Sequence, residues 1–282
     1  MPRAWLRYDL AVEPVPSSLY RILAETTGRL LADGAVEDAF FVHTPDGLRL
    51  RCHAADGAAT DLAWRAALAG AEQRGWLRDW RPATHEPEQA GMGGPGAMAS
   101  AHRVFTADSV AWLGYHSDPE LPAPTIARWA MSILMIRSML TATGRTGWEV
   151  ADVWDRIART DRLAARPAAT AVRRPPTASW LATDPAMRRL AVAVRGGWDE
   201  PDLLHERLSA DQRDLLAGYE ATVRTAATDW LAAPAAGPVR RHGVALAVTF
   251  HWNRSAMPAR HRRLLATALA GAARPDRELV AC

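Results

Sequence analysis

The stretch AFFVHTPDGLRLRCHA, residues 39 to 54, constrains the fold more than any other part of the chain. Two β-rich runs flank Pro45-Asp46-Gly47, a composition that suits the tight turn of a hairpin. In the second arm Leu48, Leu50 and Cys52 alternate with Arg49, Arg51 and His53. A period of two places both arginines and the histidine on one face of the strand. That face is either solvated sheet surface or the wall of a site, and the pattern alone does not choose between them.

The rest of the chain places this hairpin in a mixed architecture. A first strand is expected at Trp5 to Val12, followed by an amphipathic helix that starts at Pro16-Ser17-Ser18 and carries Leu19, Ile22, Leu23, Leu30 and Leu31 inward. Residues 58 to 75 are rich in helix formers and stop at Gly75; a short strand, Trp76 to Arg81, should follow. A helix is expected from Gly96 toward Asp108-Ser109, with others at 123 to 142 and 147 to 161. Ser209 and Gln212 form a capping-box pattern that opens a helix reaching Trp230. Val244 to Trp252 reads as a hydrophobic strand, and an arginine-studded helix follows it. Residues 162 to 180, rich in Pro, Ala and Arg, read as a flexible connection. The expected fold class is α+β: one unit, 1 to 282, with a central antiparallel sheet and helices packed around it.

Composition narrows the function. With 282 residues, 49% of them hydrophobic, the chain can bury a large core. All 34 basic residues are arginine and exceed the 31 acidic ones by only three. They are scattered, so no electrostatic stripe for nucleic acid is expected, and a peptide partner suits this balance better. No apolar run is long enough to span a bilayer, and MPRAWLRYDL lacks the apolar core of a secretory signal, so no membrane association and a cytoplasmic location are expected. Cys52 and Cys282 offer neither a metal spacing nor a disulfide framework. The nine histidines are dispersed, and no metal or cofactor is expected. No GxSxG elbow, Walker A loop, HExxH pair or dinucleotide fingerprint is present. The glycines at 91, 93, 94 and 96 have no following lysine and no strand directly before them, unlike a phosphate loop.

Three stretches in order, FFVHTPDGLRLRCH, HEPEQAGMGGPGAM with FTADS, and TFHWNR, resemble the C-terminal, glutamate-eliminating domain of lantibiotic dehydratases and the related stand-alone proteins of thiopeptide biosynthesis. They span residues 40 to 109 and 249 to 254. The resemblance implies that fold, and a reaction in which a glutamyl ester on Ser or Thr is eliminated to a dehydroamino acid. Such an elimination needs a base for the α-proton and cations for the developing enolate and departing carboxylate. The family supplies them from an arginine of its LRLR motif, an arginine of its RYGG motif and the first histidine of its HMHxNR motif. In this chain the first falls on Arg49 or Arg51 and is kept. The second falls on Gly91 and the third on Thr249, neither of which supplies a cation or a base near neutral pH.

A chain with the cleft but without those charges is similar to the thiopeptide pyridine synthases. For these the resemblance implies a leader-bearing, azole-containing precursor peptide with two dehydroalanines. A formal aza-Diels-Alder closure would join them, and water and the leader carboxamide would leave. Other biosynthetic enzymes are possible partners. The alternatives are a non-catalytic precursor-binding partner of a split dehydratase, and an eliminase that uses different residues. Candidate catalytic residues are His251, Tyr219 and Asp108, and candidate substrate-binding residues are Arg49, Arg51, Ser109, Asn253, Arg254 and Trp252. Each has a plain structural alternative: a buried hydrogen bond for His251, a core phenol for Tyr219, a brace for Asp108 and Ser109, and a solvated face for the arginines. Some of the twelve tryptophans should line a groove for thiazole rings, with most in the core.

Overall fold

The computed structural model describes residues 4–84, 90–118, 125–164, 185–232 and 237–274. Its first part runs β1 (Ala4–Ala11), α1 (Ser17–Ala32), β2 (Val36–Thr44), β3 (Gly47–Ala54), α2 (Gly57–Gln73) and β4 (Asp79–Ala83). The sheet order is β2-β3-β1-β4, and all neighbours are antiparallel. Each helix therefore connects two parallel strands with an antiparallel strand between them, the split β-α-β arrangement. The hairpin forms where the sequence placed it. Gly47 lies so close to β1 that a Cβ there would stand 2.3 Å from the Leu10 carbonyl oxygen, so only glycine fits.

The period of two decides which face each residue serves. Leu48, Leu50 and Cys52 are buried, as are Tyr8 and Leu10 on β1. This face packs under the first two helices: the Tyr8 hydroxyl donates to Asp61 of α2 at 2.6 Å and its ring meets Trp64 at 6.5 Å. Asp56 caps α2 by accepting the amides of Ala58 and Ala59. The opposite face carries Trp5, Arg7, Asp9, Arg49, Arg51 and His53, all partly exposed.

The second part is helical: α3 (Pro95–Ser117), α4 (Thr125–Ala142), α5 (Trp148–Ala164), α6 (Pro185–Asp199), α7 (Asp202–His205), α8 (Ala210–Ala232), α9 (Gly237–Arg254) and α10 (Ala259–Ala272). The capping box holds: Ser209 N–H donates to Gln212 Oε1 at 3.1 Å and Gln212 N–H donates to Ser209 Oγ at 3.2 Å. The mixed α+β architecture with a central antiparallel sheet is as expected.

Three expectations change. Val244 to Trp252 is not a strand but the second half of α9. Gly243, Val244, Ala245, Ala247, Val248, His251, Trp252 and Arg254 are all buried, so the helix is enclosed on most sides and shows no amphipathic period in sequence. The strand expected at Trp76 to Arg81 begins three residues later, at Asp79, because Gly75 and Trp76 close α2 by hydrogen bonds to Glu72 and Ala71. The helix around Asp108-Ser109 runs on to Ser117. Of the connection expected at 162 to 180, residues 162–164 close α5 and the rest lie outside the described residues.

Among the described residues no helix is long and apolar enough to cross a membrane. No group of three or more His, Cys, Asp or Glu is placed to hold a metal.

Candidate functional site

The partly exposed face of the sheet forms the floor of the site. Asp9 is its one central carboxylate, held by Arg7 at 2.7 Å and Arg49 at 2.8 Å. Burial pushes its pKa up, and the hydrogen bonds and charges of Arg7 and Arg49 outweigh this and hold it below the usual range. Arg49 is thus engaged by the protein itself. The Arg51 guanidinium lies over the Phe40 ring, 5.7 Å from the centroid.

An aromatic wall rises from this floor. His53 stacks on Trp5 at 4.9 Å, Trp5 meets His102 of α3 at 4.5 Å, and His102 stacks on Phe40 at 5.3 Å. Phe40 meets Phe105 at 5.7 Å, and Phe105 meets Phe250 of α9 at 5.6 Å. The wall therefore joins β1, β2, β3, α3 and α9. On α9 the partly exposed residues Leu246, Thr249, Phe250 and Asn253 follow helical spacing, so they share one side. The sequence reading did not single out His102. Its position four residues after Met98 and three before Phe105 was the available signal, because that spacing puts it on one face with both.

Gly91 and Thr249, the two positions at which the resemblance expects a cation and a base, lie at this wall's far end, the first against α9 and the second on it. Gly91 sits in a short 3-10 turn, Ala90–Met92, laid against α9. A Cβ on Gly91 would stand 2.9 Å from Leu246 Cδ1, and a Cβ on Gly243 would stand 3.3 Å from the Gly91 carbonyl oxygen. The turn is pinned by Trp230, whose indole N–H donates to the Met92 carbonyl at 3.0 Å. Thr249 turns its hydroxyl back to the Ala245 carbonyl at 3.0 Å. Residues 85–89 of the loop lie outside the described residues.

Most of the remaining candidates meet one layer deeper. Asp108 on α3 accepts from His251 Nδ1 at 2.6 Å and from Arg254 Nη1 at 2.9 Å, all three being buried. Asp108 as proton acceptor assigns the proton to Nδ1, which leaves Nε2 to accept from the Ser132 hydroxyl at 2.9 Å. Burial raises the Asp108 pKa, yet the His251 ring and the Arg254 guanidinium prevail and hold it below the usual carboxylate range. Arg254 also donates through Nε to the Phe41 carbonyl at 2.9 Å. The void among Asp108, His251, Arg254 and Tyr219 has room for about 10 Å³, one water at most. Tyr219, 4% exposed, lies between this void and a groove of about 980 Å³ along α3 and α8. Burial and the Asp108 carboxylate push its phenol well above the usual pKa.

Ser109, Asn253 and Trp252 also differ from the expected substrate contacts. β2 is an edge strand, and its outward amides need partners. Thr106 accepts from Ala39 N–H at 3.0 Å, Ser109 from Phe41 N–H at 3.2 Å and Asn253 from His43 N–H at 2.7 Å. Asn253 also donates to the His43 carbonyl at 3.0 Å. Trp252 is buried and stacks on Trp154 at 5.9 Å, so it belongs to the core. His251, Asn253 and Arg254 do not stand at a strand end; they end a helix whose side chains serve as the missing neighbour of β2.

A family model described as lantibiotic biosynthesis dehydratase C-term matches residues 5–273. No curated protein matches the sequence. Among solved structures, the tRNA-dependent lantibiotic dehydratase MibB from Microbispora sp. 107891 has a TM-score of 0.66 and 17% identity, with 98% of this chain and 28% of MibB covered. The chain thus spans little more than a quarter of that protein. TsrL has a TM-score of 0.54 and 15% identity, with 96% of this chain and 94% of TsrL covered.

Proposed function

Because the chain belongs to the lantibiotic dehydratase C-terminal domain family, we propose that it acts on a ribosomally made precursor peptide and closes a pyridine ring between two of its dehydroalanines. The observation that carries this is the pair Gly91 and Thr249. At the positions where the family places a cation and a base, the chain has a glycine packed on α9 and a threonine bonded to its own helix. A cleft built that way suits a reaction driven by placement more than by acid-base strength.

The proposed reaction needs the amide of one dehydroalanine to tautomerise to an iminol, giving a 2-azadiene. Two carbon–carbon bonds then form to the second alkene, and water and the leader carboxamide leave to give the aromatic ring. Holding the two alkenes in contact is the main task, and such positioning supplies roughly 7–11 kcal/mol in favourable cases. Of the wall's rings, Trp5 and Phe250 are partly exposed and offer planar surfaces against which azole rings can stack, with the buried Phe40 and Phe105 behind them. Arg51 can orient a substrate carbonyl with its fork of donors. His102 is buried among these rings and positions them, and the partly exposed His53, stacked on Trp5, is the imidazole we assign to proton transfer. In this proposal Asp108, His251, Arg254 and Asn253 are positioning residues that fix α3 and α9 against β2, and Tyr219 supports the same layer.

The experiment is to mix the protein with a leader-bearing thiazolyl peptide carrying two dehydroalanines and follow its mass. Release of a leader carboxamide with a new pyridine is expected, and Arg51→Ala should slow it at least tenfold. Binding without any change in mass would contradict catalysis and favour a precursor-binding partner. The partly exposed His53 favours one second reading, an eliminase with a relocated base; glutamate loss from a glutamylated peptide, abolished by His53→Ala, would establish that instead.

A further inference from the structure

A second pocket, of about 420 Å³, opens where the β1–α1 segment, the β2–β3 turn and the C-terminal end of α3 meet. Its cation is Arg128 of α4, which gives one hydrogen bond to the Ala256 carbonyl at 3.3 Å and whose Nε finds no partner among the described residues. Beside it stands the Tyr115 hydroxyl, on a side chain 2% exposed, which faces Arg128 as a donor to its oxygen and finds no acceptor for its own proton among the described residues. Leaving a buried hydroxyl unmet costs about 1–3 kcal/mol, so such a group signals a partner that is absent. Ser17 opens the first turn of α1 toward the same space, and no side chain caps that turn.

The other walls are uncharged near pH 7. Burial holds the His43 imidazole down to about 4 and the His116 imidazole down to about 3, with Arg128 adding to both shifts. His43 Nε2 lies 3.3 Å from the Tyr20 hydroxyl, and His116 Nε2 donates to the Arg254 carbonyl at 2.9 Å. Among the described lining residues the carboxylate is Glu13, which is exposed, and Asp118 lies near enough to act on the Tyr115 phenol. One half-buried guanidinium, one buried phenol whose proton has no acceptor among the described residues and one open helix start match a single negative charge, and Glu13 on the rim opposes a dianion.

We propose that this pocket is a binding site for a carboxylate, with Arg128 and the Tyr115 hydroxyl as its direct contacts and the first turn of α1 behind them. The site is separate from the aromatic cleft, and the proposal stands whether or not the cleft makes a pyridine. The carboxylate can belong to a small acid or to an acidic side chain of a bound peptide.

The test is a titration of the full chain, followed by the imidazole proton resonances. The ligands are N-acetylglycine, its amide, an end-capped peptide with one internal glutamate, and inorganic phosphate. A saturable shift with N-acetylglycine or with the glutamate peptide, and none with the amide, is expected; the tighter of the two acids identifies the source. Arg128→Gln should weaken binding at least tenfold. Tyr115→Phe should weaken it severalfold while the melting temperature stays level or rises, a combination that a purely structural tyrosine would not give, and this variant decides the matter should Arg128→Gln fail to fold. Equal binding of amide and acid, tighter binding of phosphate, no binding of either acid, or unchanged affinity in the two variants would overturn the proposal.

Discussion

At the scale of single residues, Asp108 is the hinge of the account. It is buried and shared between His251 and Arg254, so removing its charge strands a guanidinium that is 1% exposed. Breaking one side of such a pair costs about 3–5 kcal/mol, because the remaining charge keeps its desolvation penalty. Asp108→Asn is therefore expected to lower the unfolding free energy by an amount in that range, measured by chemical denaturation. A change below 1 kcal/mol would show that the three groups do not depend on one another. The sequence showed these residues as polar groups near motif ends, which is how catalytic residues also look. Whether a polar group faces a cleft or a neighbouring element is decided by packing, and His251 and Ser109 face neighbours.

At the scale of elements, the uncovered edge of β2 explains why α3 and α9 carry the residues they do. Asn253 meets both main-chain polar groups of His43. Asn253→Ala leaves that N–H and that carbonyl without protein partners, at about 1–3 kcal/mol for each group that stays buried. Amide hydrogen exchange is the measurement: His43 should lose protection first, with Ala39 and Phe41 retained by Thr106 and Ser109. Uniform loss along β2 would mean that α9 itself has come away. The hairpin and the capping box were legible in sequence because turn and cap chemistry is local. α9 was not legible: VALAVTFHW has the β-branched and aromatic content of a strand, and burial on most sides removes the 3.6-residue rhythm that would have marked a helix. α6 was missed although Ala191, Val194 and Trp198 face inward at helical spacing, with the exposed Arg188, Arg189 and Arg195 on the helix's other side.

At the scale of the whole molecule, buried titrating groups set the response to acid. Burial lowers the folded pKa of His43 to about 4 and of His116 to about 3, both below the ordinary 6.5. The unfolded chain therefore binds more protons between these values, and stability falls as pH drops below about 6.5. Asp108, also lowered, adds a loss at still lower pH, below its ordinary 3.8. Asp38 works the other way: burial raises it to about 6, so its contribution is complete below 3.8 and is lost as pH rises through about 6. Denaturation midpoints at pH 7, 5.5 and 4.5 should fall in that order, and His116→Gln should flatten the fall. A chain more stable at pH 4.5 than at pH 7 would refute this balance.

The central proposal is that this family scaffold, with Gly91 and Thr249 where the resemblance expects a cation and a base, closes a ring in place of the elimination reaction. The most direct measurement offers the protein, side by side, a glutamylated peptide and a leader-bearing bis-dehydroalanine peptide, with both followed by mass. The account predicts that the glutamyl ester survives while the second peptide gains a pyridine and loses its leader carboxamide. Release of glutamate from the first, with the second unchanged, would contradict it.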